Sequence, residues 1–573
     1  MEFRENAFDF QPSQQNQQGK DTSDLPTQLE EVISEIGKTF EQSQYALPDK
    51  PWLPNLGENI PTPNAEATGK RTLKVPLGLL DIPSNQAQEN YDFDLTKQGN
   101  TVIFASSGYG KSTILQTLAL NLSKVNTPEQ VQLNLLDFGN NGLLPLKDLP
   151  HVADIVTLEE EEKLQKMLNG IAETLAVRKK QFKEAGVASL EQYESKTKAA
   201  LPIIVNLLDN YDGLSPNDKR KDGIDNLLLQ VLRDGASLGI YLVFTASRTG
   251  TVRMNMMSAI ATKMVLYLNE ESELTTIMGR EKVAQVAKVG RGQIMVDAPR
   301  AIQFYLPVAG SNSTEVLENI EKEVSALNEN WSGKRPAKIP MVPEELSFEK
   351  FEKYTLGKVK NRMYLGLNKV DSRPESIDLF VGNSIGLFPA NKKQLHLLAP
   401  FVFKEILRQD KQIILIDALK SLEQFENDVS IYISKEKVTN QLADIKEAIT
   451  LLIESKELEN QSIIILNGLA EILSKLGYQQ AQFVELIEQN SEQKQFIFMD
   501  YVTNVGNNFA MPTVVTRENV QVILFGGELG SQHFIENLPA AVKNEKVNPN
   551  VLHCVKDEEL SHIVIPIEKE VES

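Results

Sequence analysis

One ordered series of short apolar runs passes through this chain twice, and that doubling constrains its fold more than any single motif. The first pass opens with "KVPLGLLDI" and "YDFDLT", read as a pair of antiparallel strands. "GNTVIFASSGYGKSTILQTLALNLSK" follows: a buried strand, a Gly/Ser loop, then a helix. Next come "VQLNLLDFGN", "LPIIVNLLDN" and "GIYLVFTASR", short apolar runs with β-branched residues, separated by helical segments such as "EEKLQKMLNGIAETLAVRKKQFKEAG". Strands alternating with helices predict an α/β fold whose mostly parallel sheet is covered on both faces. The second pass repeats the order in "YLGLNKVDSRPESIDL", "KQIILIDALKSLEQF", "QSIIILNGLAEIL" and "KQFIFMDYVTNV". It puts Asp417 where Asp137 stood and Asn467 where Asp209 stood. The chain therefore reads as two tandem α/β modules, with a period too long for a solenoid.

The expected divisions follow from texture. Residues 1–47 begin Gln-, Asn- and Ser-rich, which predicts disorder to about residue 28, and then carry Leu29, Val32, Ile33 and Ile36 at helical spacing. Residues 48–332 form the first module, preceded by a proline-rich extended stretch in which Trp52 reads as an anchor onto a domain surface. Residues 333–345 are a Pro- and charge-rich linker, and 346–573 the second module. A lone cysteine, Cys554, excludes an internal disulfide, and the five scattered histidines make no zinc pattern. A net charge of -19 argues against a general nucleic-acid surface. With no long apolar run and no leader-like start, the expectation is a soluble intracellular chain.

The loop "FASSGYGKST" is where chemistry enters. Its end satisfies the phosphate-loop pattern G-x-x-x-x-G-K-[ST], but Ala105 occupies the first glycine position. Such a loop works by wrapping backbone N–H groups around a phosphate at a helix N-terminus, with a lysine on the terminal phosphates and a hydroxyl on Mg²⁺. The candidate nucleotide contacts are Ser106, Ser107, Gly108, Tyr109, Gly110, Lys111, Ser112 and Thr113. Ala105 is compatible if its φ is negative, because it stands at the strand exit. The plainer alternative is an ordinary Ser/Gly turn.

The partner expected for the metal is an apolar strand ending in a carboxylate, which "IIVNLLDNYDG" supplies as Asp209; Ser112 and Asp209 are thus the Mg²⁺ candidates. Asn210 stands where a water-polarising glutamate commonly follows, and an amide is a very poor general base. Asp212 is close enough to substitute, and reads equally as a turn carboxylate before Gly213. Asp209, with Asn210 and Asp212 as weaker candidates, makes the catalytic set. "TASR" (Thr245 to Arg248) follows the next strand, where its polar side chains are candidate sensors of the terminal phosphate; Arg248, Arg253 and Lys263 are candidate cations toward a phosphate in a neighbouring subunit, or plain surface charges. In the second module "SIGLFPANKKQLHLL" has no glycine before a Lys-Ser pair, Pro389 lacks an N–H, and Asn467 replaces the carboxylate, so this copy is expected to be degenerate.

"GYGKST", "LLDFGNNGLLPLKDLPHVADIV", "DNYDGL", "GIYLVFTASR" and "VGRGQIMV", in that order and preceded by "PWLPNL", resemble the FtsK/SpoIIIE class of ATPases. They resemble more narrowly the EssC/EccC coupling ATPases of type VII secretion. The resemblance implies tandem RecA-like P-loop ATPase modules with the second degenerate, ATP and Mg²⁺ as cofactors, and Lys111, Ser112 and Asp209 as the nucleotide site of a middle module. It also implies partners: other modules or subunits of the secretion ATPase, the membrane secretion machinery, and small secreted helical proteins of the Trp-Xaa-Gly type read by the terminal module. A homo-oligomer within the assembled machine and a place on the cytoplasmic side of the bacterial membrane go with it. A C-terminal fragment and a separately encoded half both fit. Two other readings stand beside this one: a DNA translocase, which would be expected to end in a DNA-reading domain rather than an acidic tail, and an inactive adaptor with a vestigial loop.

Overall fold

The computed structural model describes residues 27–42, 53–64, 67–355, 359–382, 384–434, 461–476, 493–507, 511–535, 548–556 and 559–568, with residues 436, 485, 487–490, 538 and 543 besides. The expected disorder of the first residues and the anchoring role of Trp52 lie outside these. The helix Gln28–Gln42 forms as expected, with Leu29, Val32, Ile33 and Ile36 exposed.

The first sheet contains β1 (Lys74–Ile82), β2 (Ala87–Asp94), β3 (Thr101–Phe104), β4 (Val131–Asp137) and β5 (Val152–Thr157). It is completed by β6 (Ile203–Asp209), β7 (Ile240–Ala246), β8 (Thr262–Leu266), β9 (Arg291–Met295) and β10 (Pro299–Phe304). Their spatial order is β2-β1-β10-β9-β8-β3-β7-β6-β4-β5. The second sheet contains β11 (Arg362–Asn368), β12 (Pro374–Asp378), β13 (Ile385–Phe388), β14 (Ile413–Asp417) and β15 (Ile431–Ser434). Its remaining strands are β16 (Ser462–Asn467), β17 (Lys494–Met499), β18 (Val522–Phe525), β19 (Val551–Lys556) and β20 (Glu559–Val564). Its order, β12-β11-β20-β19-β18-β13-β17-β16-β14-β15, is the first order with each strand replaced by its counterpart. The register agrees residue by residue at the critical edge: Asp137 pairs with Asp209, and Asp417 with Asn467.

In each sheet six strands are parallel and four antiparallel strands extend one side. The parallel strands read as continuous apolar runs because both faces are covered; every residue of β7 is buried. The chain enters the parallel part at β3, which lies between β7 and β8, and then jumps across β7 and β6 to β4. Strand order reverses there, and ligands of open α/β sheets bind at the carboxyl ends of strands beside such a reversal. Each module is also preceded by a segment that pairs with residues following its last strand. Leu306 donates to the Ile60 carbonyl at 2.8 Å, and Ile567 donates to the Leu346 carbonyl at 3.0 Å. No helix of the described residues is long and apolar enough to cross a membrane.

Candidate nucleotide site

Phe104 ends β3 fully buried, and the chain leaves it through Ala105, also fully buried, whose N–H pairs with the Ala246 carbonyl at the end of β7. Ala105 does not adopt a positive φ, so its methyl is accommodated where the motif usually has glycine. Positive φ is needed further on, at Gly108 (85°) and Gly110 (101°), where a side chain would be strained. A Cβ on Gly108 would meet nothing within 4 Å, so the tip of the loop borders open space. The helix Lys111–Val125 starts immediately after Gly110.

Neighbouring loops fix this bend. Ser106 donates its N–H to the Tyr267 carbonyl at 2.9 Å, and its hydroxyl accepts from the Asn269 N–H at 3.1 Å. The Tyr109 ring lies against Tyr267 with centroids 4.6 Å apart, and the Tyr109 carbonyl accepts from the Gly290 N–H. Ser107 and Gly108 are exposed, while Ser106, Tyr109, Gly110, Lys111, Ser112 and Thr113 are half-buried.

Lys111 folds back over the bend, donating to the Ala105 carbonyl at 2.7 Å and reaching the Ser106 carbonyl and Ser247 hydroxyl at 3.3 and 3.4 Å. Burial holds its ammonium below the usual lysine range, opposed by the charges of Asp212 and Asp209. Ser112 donates its hydroxyl to Asp209 Oδ2 at 2.5 Å. Thr245 donates to Asp209 Oδ1 at 2.6 Å and accepts the Asn210 N–H at 2.7 Å. Burial raises the Asp209 carboxyl above the usual aspartate range; the hydrogen bonds oppose this and the Asp137 charge adds to it. Lys111, Ser112 and Asp209, read from the sequence as one candidate site, lie at the same corner of the fold.

Two contributors, Asp137 and Gly142, were not named as site residues, and Thr245 was read only as one polar side chain of "TASR". Asp137 accepts the N–H groups of Gly139 and Leu143 at 3.0 and 2.9 Å, curling that loop over the site. Gly142 then approaches so closely that a Cβ there would stand 2.8 Å from Ser112 Oγ and 3.0 Å from Asp209 Oδ2. Thr245 ties the ends of β6 and β7. The signal for Asp137 was available, since it precedes the "FGNNG" turn; the place of Gly142 depends on packing between distant segments.

Asn210 takes a left-handed conformation (φ 57°, ψ 57°), which Asn tolerates better than Glu does. Asp212 accepts the Ser247 N–H through Oδ2, while its buried Oδ1 has no partner among the described residues. Asp212 therefore clasps the segments after β6 and β7 with one oxygen and leaves the other buried and unpartnered. Arg253 is bound to Asp225 at 2.6 Å and to Asp222, within a cluster where Tyr211 and Lys221 also hold Asp225. Arg248 is exposed at the end of β7, and Lys263 is half-buried on β8.

These residues fit Mg-ATP. Glycines form an open bend at a helix N-terminus, a lysine lies over it, and a hydroxyl and a carboxylate meet where a cation would stand. Among the described residues, the second module does not repeat this arrangement. Between β13 and its helix Lys392–Leu407 only Pro389, Ala390 and Asn391 remain. Asn391 caps the helix by accepting the Gln394 N–H at 3.0 Å, and Gln394 reaches back to the Ala390 N–H at 2.7 Å, so local side chains consume donors that a phosphate would need. Asn467 donates to Asp417 at 2.6 Å and to Ser421 at 2.8 Å.

The fold and the first site define a tandem P-loop-type α/β protein with one equipped and one dismantled module. Residues 65–311, which carry the first sheet, match the family model described as the FtsK/SpoIIIE family. It is 32% identical over 422 residues to the ESX secretion system protein EccC of Geobacillus thermodenitrificans, covering 73% of this chain and 28% of that protein. The chain thus spans under a third of the length of this relative. The solved structure of EssC ATPases 2 and 3 from the same organism superposes with a TM-score of 0.76 at 26% identity, covering 90% of this chain and all of that one. The Thermomonospora curvata EccC ATPases 2 and 3, solved in complex with a signal sequence peptide, share the fold with a TM-score of 0.59 at 19% identity, over 91% of this chain and all of theirs.

Proposed function

We propose that this chain is a nucleotide-binding part of a type VII protein secretion ATPase, whose first module binds Mg-ATP and whose second recognises exported proteins. The observation that carries the reading is the convergence of Lys111, Ser112 and Asp209 at the carboxyl end of β3 and β6. Backbone N–H groups from Ser107 to Thr113 would face the phosphates, the Ser106 N–H being taken by the Tyr267 carbonyl; Lys111 would exchange loop carbonyls for phosphate oxygens, and Ser112 with Asp209 would hold Mg²⁺. Bound Mg-ATP supplies a phosphoryl group whose transfer to water requires that water to be oriented and deprotonated. Asn210 orients water without taking a proton, and Asp212 offers one unpartnered oxygen nearby. Turnover in the isolated chain is therefore slow, and the first module works mainly as a ligand-stabilised clamp.

The domain divisions are those read from the sequence: 1–47, 48–332, 333–345 and 346–573. The second module, with its phosphate bend replaced by a capped helix, offers a protein-reading surface for small helical exported proteins of the Trp-Xaa-Gly type. Its partners are the other modules or subunits of the secretion ATPase at the cytoplasmic face of the membrane, in a homo-oligomer within the machine and without nucleic acid. A relative's structure with a signal sequence peptide motivates the substrate reading. The test is thermal unfolding with Mg-ATP. At about one hundred times Kd, wild type gains about 2.7 kcal/mol, and Lys111→Ala loses that gain. Equal shifts in the two proteins would refute the site.

A further inference from the structure

The segment Leu53–Asn64 lies along the surface of the first module as a strap, mostly exposed, with Leu56 as its buried anchor. Part of what holds it runs along Leu306, with Gln88 on the Pro54 carbonyl, and part lies beside the phosphate bend. Arg291 donates to the carbonyls of Leu56 and Gly57 at 2.7 and 3.3 Å, and Lys288 pairs with Glu58 at 2.7 Å. Lys288 and Arg291 flank Gly290, whose N–H donates to Tyr109 in the bend at 3.1 Å and whose backbone packs against Gly110. Gln303 stiffens the connection, accepting from Arg291 at 2.9 Å and donating to the Val289 carbonyl at 3.1 Å. A second route reaches the helix that follows the bend: Asn121 on that helix donates to the Thr62 hydroxyl at 2.8 Å. The loop Lys288–Arg291 thus has the strap on one side and the bend on the other.

From these contacts we infer that strap docking and nucleotide binding are thermodynamically linked, so that the strap reports and biases occupancy of the first module. The inference rests on the nucleotide reading proposed above. Ordering of the bend by phosphate steadies Tyr109 and Gly290, and through them the two cations that grip the strap. Because linkage is reciprocal, the factor by which nucleotide favours the docked strap is the factor by which the docked strap favours nucleotide. A strap with one buried apolar side chain and a few polar ties belongs to the weakly held parts of a fold, where such a bias is measurable.

The test is hydrogen exchange at two amides that are protected only while the strap is docked, Thr62 and Leu306, which bond to Leu306 and Ile60. Saturating Mg-ATP should slow their exchange by about fivefold or more, in the range of typical coupling factors. Glu58→Lys should weaken Mg-ATP binding, measured with a fluorescent analogue, and adding Lys288→Glu should restore it. Both residues are partly exposed, so this pair remains usable if Arg291→Met fails to fold. Bound nucleotide with unchanged exchange at both amides overturns the linkage and leaves the nucleotide site standing. Absence of nucleotide binding overturns the site itself, and the linkage with it.

Discussion

Asn210→Glu tests whether a missing base, rather than a missing site, limits turnover. Asn210 is held with φ 57° and ψ 57°, its N–H fixed by the Thr245 hydroxyl at 2.7 Å. Left-handed backbone costs most L-residues roughly 1–2 kcal/mol, and Asn escapes much of it. Gly139 lies so close that a Cβ on it would be 2.9 Å from the Asn210 Cβ, which narrows the paths open to a longer side chain. The substitution should therefore cost about 1 kcal/mol, a melting decrease of about 2–4 °C for a module of this size. A positioned general base contributes about 10²–10⁴-fold, so even an imperfectly placed carboxylate should raise single-turnover phosphate release at least tenfold. The assay compares phosphate release by wild type and variant at saturating Mg-ATP, with affinity measured in parallel. Unchanged release, with affinity retained and melting lowered as expected, would refute the argument that Asn210 occupies the place of the water-polarising residue.

Two further perturbations address the surroundings. His151 is buried and donates through Nε2 to the Asn126 carbonyl at 2.8 Å, and burial holds its imidazole down at about 4, against an ordinary value of 6.5. The folded form resists protonation that the unfolded chain accepts, so stability is complete above pH 6.5 and falls as pH drops toward 4, by about 3 kcal/mol in all. His151→Gln should flatten that part of a melting-versus-pH curve; an unchanged slope would exclude His151 as its source. Gly142→Ala places a methyl 2.8 Å from Ser112 Oγ and 3.0 Å from Asp209 Oδ2 without requiring left-handed backbone. Mg-ATP affinity should fall at least about tenfold, the loss expected when a close packing contact at a ligand pair is disturbed, and melting without nucleotide should fall as well, because the methyl must displace Ser112. Unaltered titration curves would show that the loop over the site leaves the metal pair free.

Much of this architecture was legible because it is written in local pattern. Apolar runs such as Ile203–Asp209 and Ile240–Ala246, buried along almost their whole length, have no other stable home than a covered sheet. Their repeated order made the second module visible, including the exchange of Asp209 for Asn467. The phosphate bend was legible for the same reason: Gly108, Gly110, Lys111 and Ser112 are neighbours in sequence. What escaped notice was made by distant segments. Gly142 acquires its place through the curl organised by Asp137, and Arg291 meets the Leu56 carbonyl 235 positions away. The left-handed state of Asn210 also supplied a backbone reason for an amide where chemistry alone suggested a lost carboxylate.

The ends of the two strands beside each site are latched by a carboxylate, and the two modules wear that latch in opposite directions. In the first, Asp212 after β6 takes the N–H of Ser247 after β7; in the second, Asp500 after β17 takes the N–H of Ala470 after β16 at 2.9 Å. A fastening that survives having its halves traded belongs to the scaffold before it belongs to any reaction. Inactivity in an Asp212 variant would accordingly mix two losses, a proton acceptor and a clasp, and only a design that moves the clasp to position 247 can separate them.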